Sequence, residues 1–308
     1  MATSRNDVDD RGCRDVSKRA QIQKHIGALN DISGIMGAMK NISLMETHKL
    51  DRFLAQQHRV LASIEATALD FLSHHREFGY GADHAIPWVI VAIGSQRGFC
   101  GDFNQELVDA IRQWQVANPT TGLLVVGRRL SSRLGKEVRV TEAFDGPSVA
   151  EEVQPVLHRL MNALSGLQLQ AGRAELLGVT VIAHREGEGK IGMRSILPVP
   201  NAARPSSRFA CPPLLNVAAP AFYSELARHY LWAQMHDVFY SSLMAENRRR
   251  LKHMEGAIRR IEDKAGELQR KYNLLRQEEI TEEIEVLMLS NDVLRGRRHA
   301  APEAPLEC

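Results

Sequence analysis

The sequence predicts an α/β protein: a long antiparallel coiled coil of N- and C-terminal helices with a Rossmann-like α/β domain between them. Three observations lead there. Proline-free stretches with helical apolar spacing lie towards both ends, and short Val- and Ile-rich runs alternate with helix-like segments in the middle. No phosphate-loop or catalytic motif interrupts this plan.

The first helical stretch covers residues 18–80. Ile22, Ile26, Leu29, Ile32, Ile35, Met39, Ile42 and Met45 recur at three or four residues, and Val60, Ile64, Ala68 and Phe71 continue the pattern. Gly27, Gly34 and Gly37 each weaken a helix by roughly 1 kcal/mol relative to alanine, so they predict the close approach of another helix backbone. The second stretch covers residues 222–290. Leu251, Met254, Ile258, Ile261, Ala265, Leu268, Tyr272 and Leu275 alternate spacings of three and four, the period of about 3.5 residues of a coiled-coil seam. At about 1.5 Å per residue each stretch reaches some tens of ångströms, too long to be buried in one globular core. The simplest solution pairs the two antiparallel.

Residues 81–221 have another texture. "PWVIVAIG" (Pro87–Gly94) and "TGLLVVG" (Thr121–Gly127) read as strands buried on both faces, and "ELLGVTVIA" (Glu175–Ala183) as a third strand. Helix-like segments at Asn104–Ala117, Ser131–Gly135 and Ser148–Leu164 alternate with them, which implies a parallel sheet. The glycines of "HREGEGKIGM" predict a hairpin into "KIGMRSILPV". A proline-rich connection then leads to the last helix. Residues 1–17 read as a polar N-terminal extension and residues 291–308 as a tail.

Composition excludes more than it assigns. Thirty-nine Lys and Arg against 37 Asp and Glu leave +2, which gives no general attraction to nucleic acid or anionic lipid. Four cysteines without a CxxC pair fit a reducing cytoplasm, and no window is apolar enough to span a membrane. GxxxxGK[ST], HExxH and GxSxG are missing, so no residue is assigned a catalytic, cofactor-binding or metal-binding role. His74-His75 lacks a second ligand pair, and "NRRRLKH" (Asn247–His253) reads as the charged outer face of the seam. The glycine-rich "AIGSQRGFCGDFN" (Ala92–Asn104) reads as a strand-to-helix turn with Cys100 packed at the junction, in preference to an anion site or a reactive thiol.

Three segments stand in order along the chain: "GIMGAMKNIS" (Gly34–Ser43), "SQRGFCGDFN" (Ser95–Asn104) and "YNLLRQEEITEEIEVL" (Tyr272–Leu287). Together they resemble the signatures of the gamma subunit, the central rotor shaft, of rotary F-type ATP synthases. Ala38, Met39 and Lys40 match the first, with Asn41 departing; Arg97, Gly98, Cys100, Gly101 and Asn104 match the second, with Gln96 in place of the usual acid. Tyr272, Asn273, Arg276, Gln277, Ile280, Thr281 and Glu283 match the third. The departures, with the extension and tail, resemble a divergent bacterial branch.

The resemblance implies a non-catalytic subunit without cofactor. It would turn inside a ring of three alpha and three beta subunits, rest with the epsilon subunit on the membrane c-ring, and couple proton or sodium flow to ATP synthesis or hydrolysis. The expected place is peripheral, on the cytoplasmic face of the bacterial inner membrane. Met39, Lys40, Arg97, Cys100, Arg276, Gln277, Thr281 and Glu283 are the implied contacts with beta-subunit levers and loops. Two other readings compete: a cytoplasmic coiled-coil scaffold, and a nucleotide-binding α/β enzyme with helical dimerisation arms.

If the seam transmits torque, its continuity is essential. Leu268→Pro removes a helix hydrogen bond and clashes with the preceding turn; it is expected to abolish ATP-driven proton pumping by the reassembled complex, and normal pumping would refute this.

Overall fold

The computed structural model describes residues 5–78, 88–118, 121–135, 138–170, 178–185, 191–199 and 212–298, with backbone alone for 5–17, 170 and 290–298. Helix α1 spans Arg5–His74, followed by a single 3-10 turn at Arg76–Phe78. Strand β1 (Trp88–Ile93), helix α2 (Phe103–Ala117), strand β2 (Gly122–Val126), helix α3 (Arg128–Leu134) and strand β3 (Glu142–Phe144) come next. A 3-10 turn at Ala150–Glu152 leads into helix α4 (Val153–Gln170). Strands β4 (Gly178–His184) and β5 (Ile191–Leu197) and helix α5 (Ala219–Arg298) are the last elements among the described residues. Most of the proline-rich connection lies outside the described residues.

Among the described residues the sheet has five strands, in the order β3-β2-β1-β4-β5. β1 pairs in parallel with β2 and with β4, β2 in parallel with β3, and β4 antiparallel with β5. The expected parallel sheet and closing hairpin are therefore present. The expectation missed β3, whose three residues are too few to show any period. Helix α4 begins at Val153 rather than Ser148, and α3 begins three residues before Ser131.

Strand periodicity sorts the core into two layers. Val89, Val91 and Ile93, with Leu124, Val126, Val179, Val181 and Ala183, face one layer; Ile90, Ala92, Leu123, Val125 and Ile182 face the other. The second layer is closed by Phe103, Leu107 and Ile111 of α2 and by Leu130 and Leu134 of α3. The first is closed by α4, through Val153, Leu157 and Leu160, and by both long helices, through Leu50, Leu54, Phe71 and Leu72 of α1 and Tyr223, Met235 and Phe239 of α5. Strands β1, β2 and β4 are covered on both faces, and for that reason they read as continuous apolar runs.

The long helices are therefore not a separate domain from the sheet, as boundaries at residues 80 and 222 would have it. The chain divides into two compact units, residues 39–254 and residues 1–38 with 255–308. Within the first, α1 and α5 run antiparallel: Gln57 donates to the Ala233 carbonyl at 2.8 Å, Glu65 accepts from Gln234 at 2.9 Å, and Asp51 lies 3.6 Å from Arg248. Within the second, Arg19 pairs with Glu279 and its guanidinium lies 5.9 Å from the Tyr272 ring centroid.

The α5 seam follows the heptad. Met254 is buried, and Leu251, Ile258, Ile261, Leu268, Tyr272 and Leu275 are half-buried between exposed neighbours. On α1 the expected face holds at Ile22, Ile26 and Leu29, which are half-buried, and at Ala68 and Phe71, which are buried, and it is corrected between them. Met36 is the buried residue, while Ile32, Ile35, Ile42 and Met45 are exposed. Apolar residues at 32, 35, 36 and 39 fit two adjacent helical stripes, and spacing alone does not choose between them. The close approach expected at Gly27, Gly34 and Gly37 is also absent: a Cβ at any of them would meet no heavy atom within 4 Å. α1 begins inside the stretch read as a polar extension, and α5 continues to Arg298 inside the stretch read as a tail.

Phe71 is the aromatic hub of the first layer. Its ring stands 5.0 Å from Phe222, 5.6 Å from Phe78, 6.1 Å from Tyr223 and 4.6 Å from His75, centroid to centroid. Phe71→Ala is expected to cost roughly 3 to 5 kcal/mol in denaturant titration of the full chain, with exposed Val116→Ala as a neutral control. A loss below about 1 kcal/mol would contradict the assignment.

Candidate functional site

Between β1 and α2 the chain turns through residues 94–102. The turn needs its unusual backbone. Gly101 has φ +60°, Phe99 has φ 63° although it is not glycine, and a Cβ on Gly94 would sit 2.3 Å from the Leu130 Cβ of α3. Asn104, on the first turn of α2, holds it from below: its Oδ1 accepts from the Ser95 N–H at 3.0 Å, and its Nδ2 donates to Ser95 Oγ at 2.7 Å. Gln96 holds it from the side. Its Oε1 accepts from the backbone N–H of Arg128 at 3.0 Å and of Gly146 at 2.8 Å, and its Nε2 donates to Asp145 at 3.2 Å. An acid at this position would accept the same two N–H groups but would repel Asp145, so the glutamine is matched to its neighbour.

The turn is unsuited to phosphate. Asp102 precedes α2 and Glu106 lies in its first turn, so carboxylates stand where an anion would need bare N–H groups. Cys100 is only 4% exposed, and burial pushes its thiol pKa up, away from the thiolate range. Its sulfur packs 3.4 Å from Ser95 Oγ beneath the surface. The outward groups are Arg97 and Phe99, the latter 53% exposed.

The turn is fastened to α5 by a buried ion pair. Glu246 and Arg250, both 3% exposed, sit one helical turn apart and pair directly. Arg250 also donates from Nη1 to Asn247 Oδ1 at 2.7 Å and from Nε to the Gly98 carbonyl at 3.2 Å. Burial raises the Glu246 pKa to about 7, against the pull of Arg250 and of Arg97, including the Arg97 backbone N–H. One residue away, Arg249 forms a bidentate pair with Glu106 of α2 at 2.6 and 2.7 Å, and this holds the Glu106 pKa below the usual carboxylate range. Beside Glu106, burial lowers the His184 pKa; its Nε2 meets the Phe103 carbonyl at 2.8 Å and its ring stacks on Phe103.

These contacts correct the reading of "NRRRLKH" as an outer charged face. Asn247 and Arg250 are buried, and Arg249 binds α2. The i, i+4 spacing of Glu246 and Arg250 was the available sequence signal, but that spacing equally describes an exposed helix pair.

The remaining expected contact residues separate by unit. Met39 and Lys40 are half-buried on α1 in the sheet-bearing unit, near exposed Ile42 and Met45. Arg276, Gln277, Thr281 and Glu283 are exposed on the outer part of α5, where Thr281 donates to the Gln277 carbonyl at 2.8 Å. Ile280, Ile284, Val286, Leu287, Met288 and Leu289 are exposed there too. His75 pairs with Glu77 at 3.1 Å, and among the described residues no cluster of three His, Cys, Asp or Glu could hold a metal.

The family profile described as ATP synthase matches residues 18–288. The ATP synthase gamma chain of Bdellovibrio bacteriovorus is 26% identical over 227 residues, covering 68% of this chain and 74% of the relative. That of Clostridium beijerinckii is 22% identical over 275 residues, covering 86% and 94%. A chain of the Euglena gracilis mitochondrial ATP synthase OSCP/F1/c-ring assembly, in rotational state 3, has the same fold at a TM-score of 0.59 and 14% identity, covering 95% of this chain and 99% of that one. A chain of the Tetrahymena thermophila mitochondrial ATP synthase central stalk and c-ring gives 0.52 at 16%, covering 72% and 99%. With the profile spanning most of its length and two gamma chains among its relatives, the chain belongs to the ATP synthase gamma-subunit family.

Proposed function

We propose that this gamma subunit is the non-catalytic rotor shaft of a bacterial F-type ATP synthase. It turns inside a ring of three alpha and three beta subunits, and it couples ion flow through the membrane c-ring, on which it rests with the epsilon subunit, to ATP synthesis or hydrolysis. The profile match over residues 18–288 carries this reading. The complex lies on the cytoplasmic face of the inner membrane, with this chain peripheral to it; no described helix is long and apolar enough to cross.

The physical demand is to pass torque through the chain and to touch neighbours without sticking. Three features of the chain support that reading. Arg250 and Arg249 fasten the turn and α2 to α5, so force on one is felt by the other. Met39, Lys40 and Arg97 on the sheet-bearing unit, with strained, exposed Phe99, are contacts for the beta-subunit levers. Arg276, Gln277, Thr281 and Glu283, among exposed apolar residues from Ile280 to Leu289, are contacts for beta-subunit loops in the surrounding hole; so many apolar groups in water call for a partner.

A contact released in each step of rotation must be weak, so partly solvated charges contribute about 1 kcal/mol or less each. A tagged copy is expected to bring down alpha, beta and epsilon subunits; a chain that purifies without them would refute the assignment. Arg276→Ala is expected to reduce assembly or ATPase turnover of the complex by several-fold while leaving the melting of the isolated subunit unchanged. Unchanged assembly and turnover would remove Arg276 from the contact set.

A further inference from the structure

Away from the turn, a cavity of about 610 Å³ opens where β4 and β5 meet α1 and α5. Nothing in the shaft mechanism requires it. Val181 and Ala183 of β4 and Val238 of α5 contribute apolar lining, Arg185, Arg194 and Arg248 contribute cations, and His58 contributes an imidazole. Asp237 is the one acid among the lining residues. A cavity of this size lies within the range of roughly 300 to 1,000 Å³ typical of small-molecule sites.

The cations are placed in a specific way. Gly192 and Arg194 lie on the same face of β5, two residues apart. The Arg185 side chain crosses Gly192 so closely that a Cβ there would lie 2.6 Å from its Nε and 3.0 Å from its Cγ and Cδ. The glycine thus leaves the space in which the arginine lies along the strand. Arg194 stands 3.6 Å from Asp237 and 3.7 Å from Glu65, longer than the 2.7 to 2.9 Å or so of a charge-assisted hydrogen bond. Its planar fork is held near these carboxylates without docking on either. Asp237 Oδ1 is buried, 3.0 Å from His58 Nε2, and makes no hydrogen bond that satisfies it.

We propose that this cavity binds a small organic anion. Its phosphate or carboxylate group is taken by Arg185 and Arg194, and its carbon skeleton lies on Val181 and Ala183. Guanidinium forks recognise both anionic groups in a bidentate manner. Inorganic phosphate alone would leave most of the volume empty.

The test is calorimetric titration of the full chain with ribose 5-phosphate and, separately, with citrate. Saturable one-to-one binding of either supports the proposal, and which one binds tells phosphate from carboxylate. Arg185→Ala is expected to weaken that binding about tenfold, as loss of a charged hydrogen-bonding group does, without lowering the melting temperature of the free protein. Gly192→Ala, which keeps the arginine but fills the space beneath it, is expected to weaken binding as well. No saturable binding of either probe, or unchanged affinity in Arg185→Ala, overturns the proposal.

Discussion

The buried pair of Glu246 and Arg250 is the constraint on which the sheet-bearing unit depends. Putting two charges 3% exposed into a core is costly, and the cost is offset only because every polar atom there has work to do. Arg250 binds its own helix through Glu246 and Asn247 and the turn through Gly98, while Glu246 lies against the Arg97 backbone. Removing one partner would leave an isolated buried charge, an effect of about 3 to 5 kcal/mol in comparable sites. An apolar pair could fill the same space, but it would have nothing to offer the Gly98 carbonyl.

The rest of the unit follows from this fastening. A turn that carries strained Phe99 outward persists only if its surroundings over-determine it, and here Asn104, Gln96 and Arg250 hold it from three sides. The doubly covered sheet gives those three residues a rigid base. Because α1 and α5 supply one of the two covering layers, the sheet cannot shift without breaking contacts that the long helices also need. A rotor subunit requires a stiff connection of this kind between its globular part and its axle.

Much of this plan was legible in the sequence, and the exceptions have physical reasons. Val- and Ile-rich runs marked β1, β2 and β4 because burial on both faces leaves no polar alternation, and the α5 heptad marked its seam because one face alone is apolar. β3 was invisible because its three residues are largely exposed. On α1, adjacent apolar stripes left the choice between Met36 and Ile35 to tertiary packing. The turn was legible as a turn, but not its hold on α5. Glu246 and Arg250 look like any surface pair until the fold places Gly98 beside them.

The fastening itself can be measured by hydrogen–deuterium exchange on the assembled complex and on the free subunit carrying Arg250→Met. That change keeps much of the side chain's length and removes every donor. The account predicts faster exchange across residues 95–100, where the Ser95 and Arg97 amides are held, with protection retained in β1 and β2. Turn amides as protected as in the parent chain would contradict the claim that this ion pair joins the turn to the shaft.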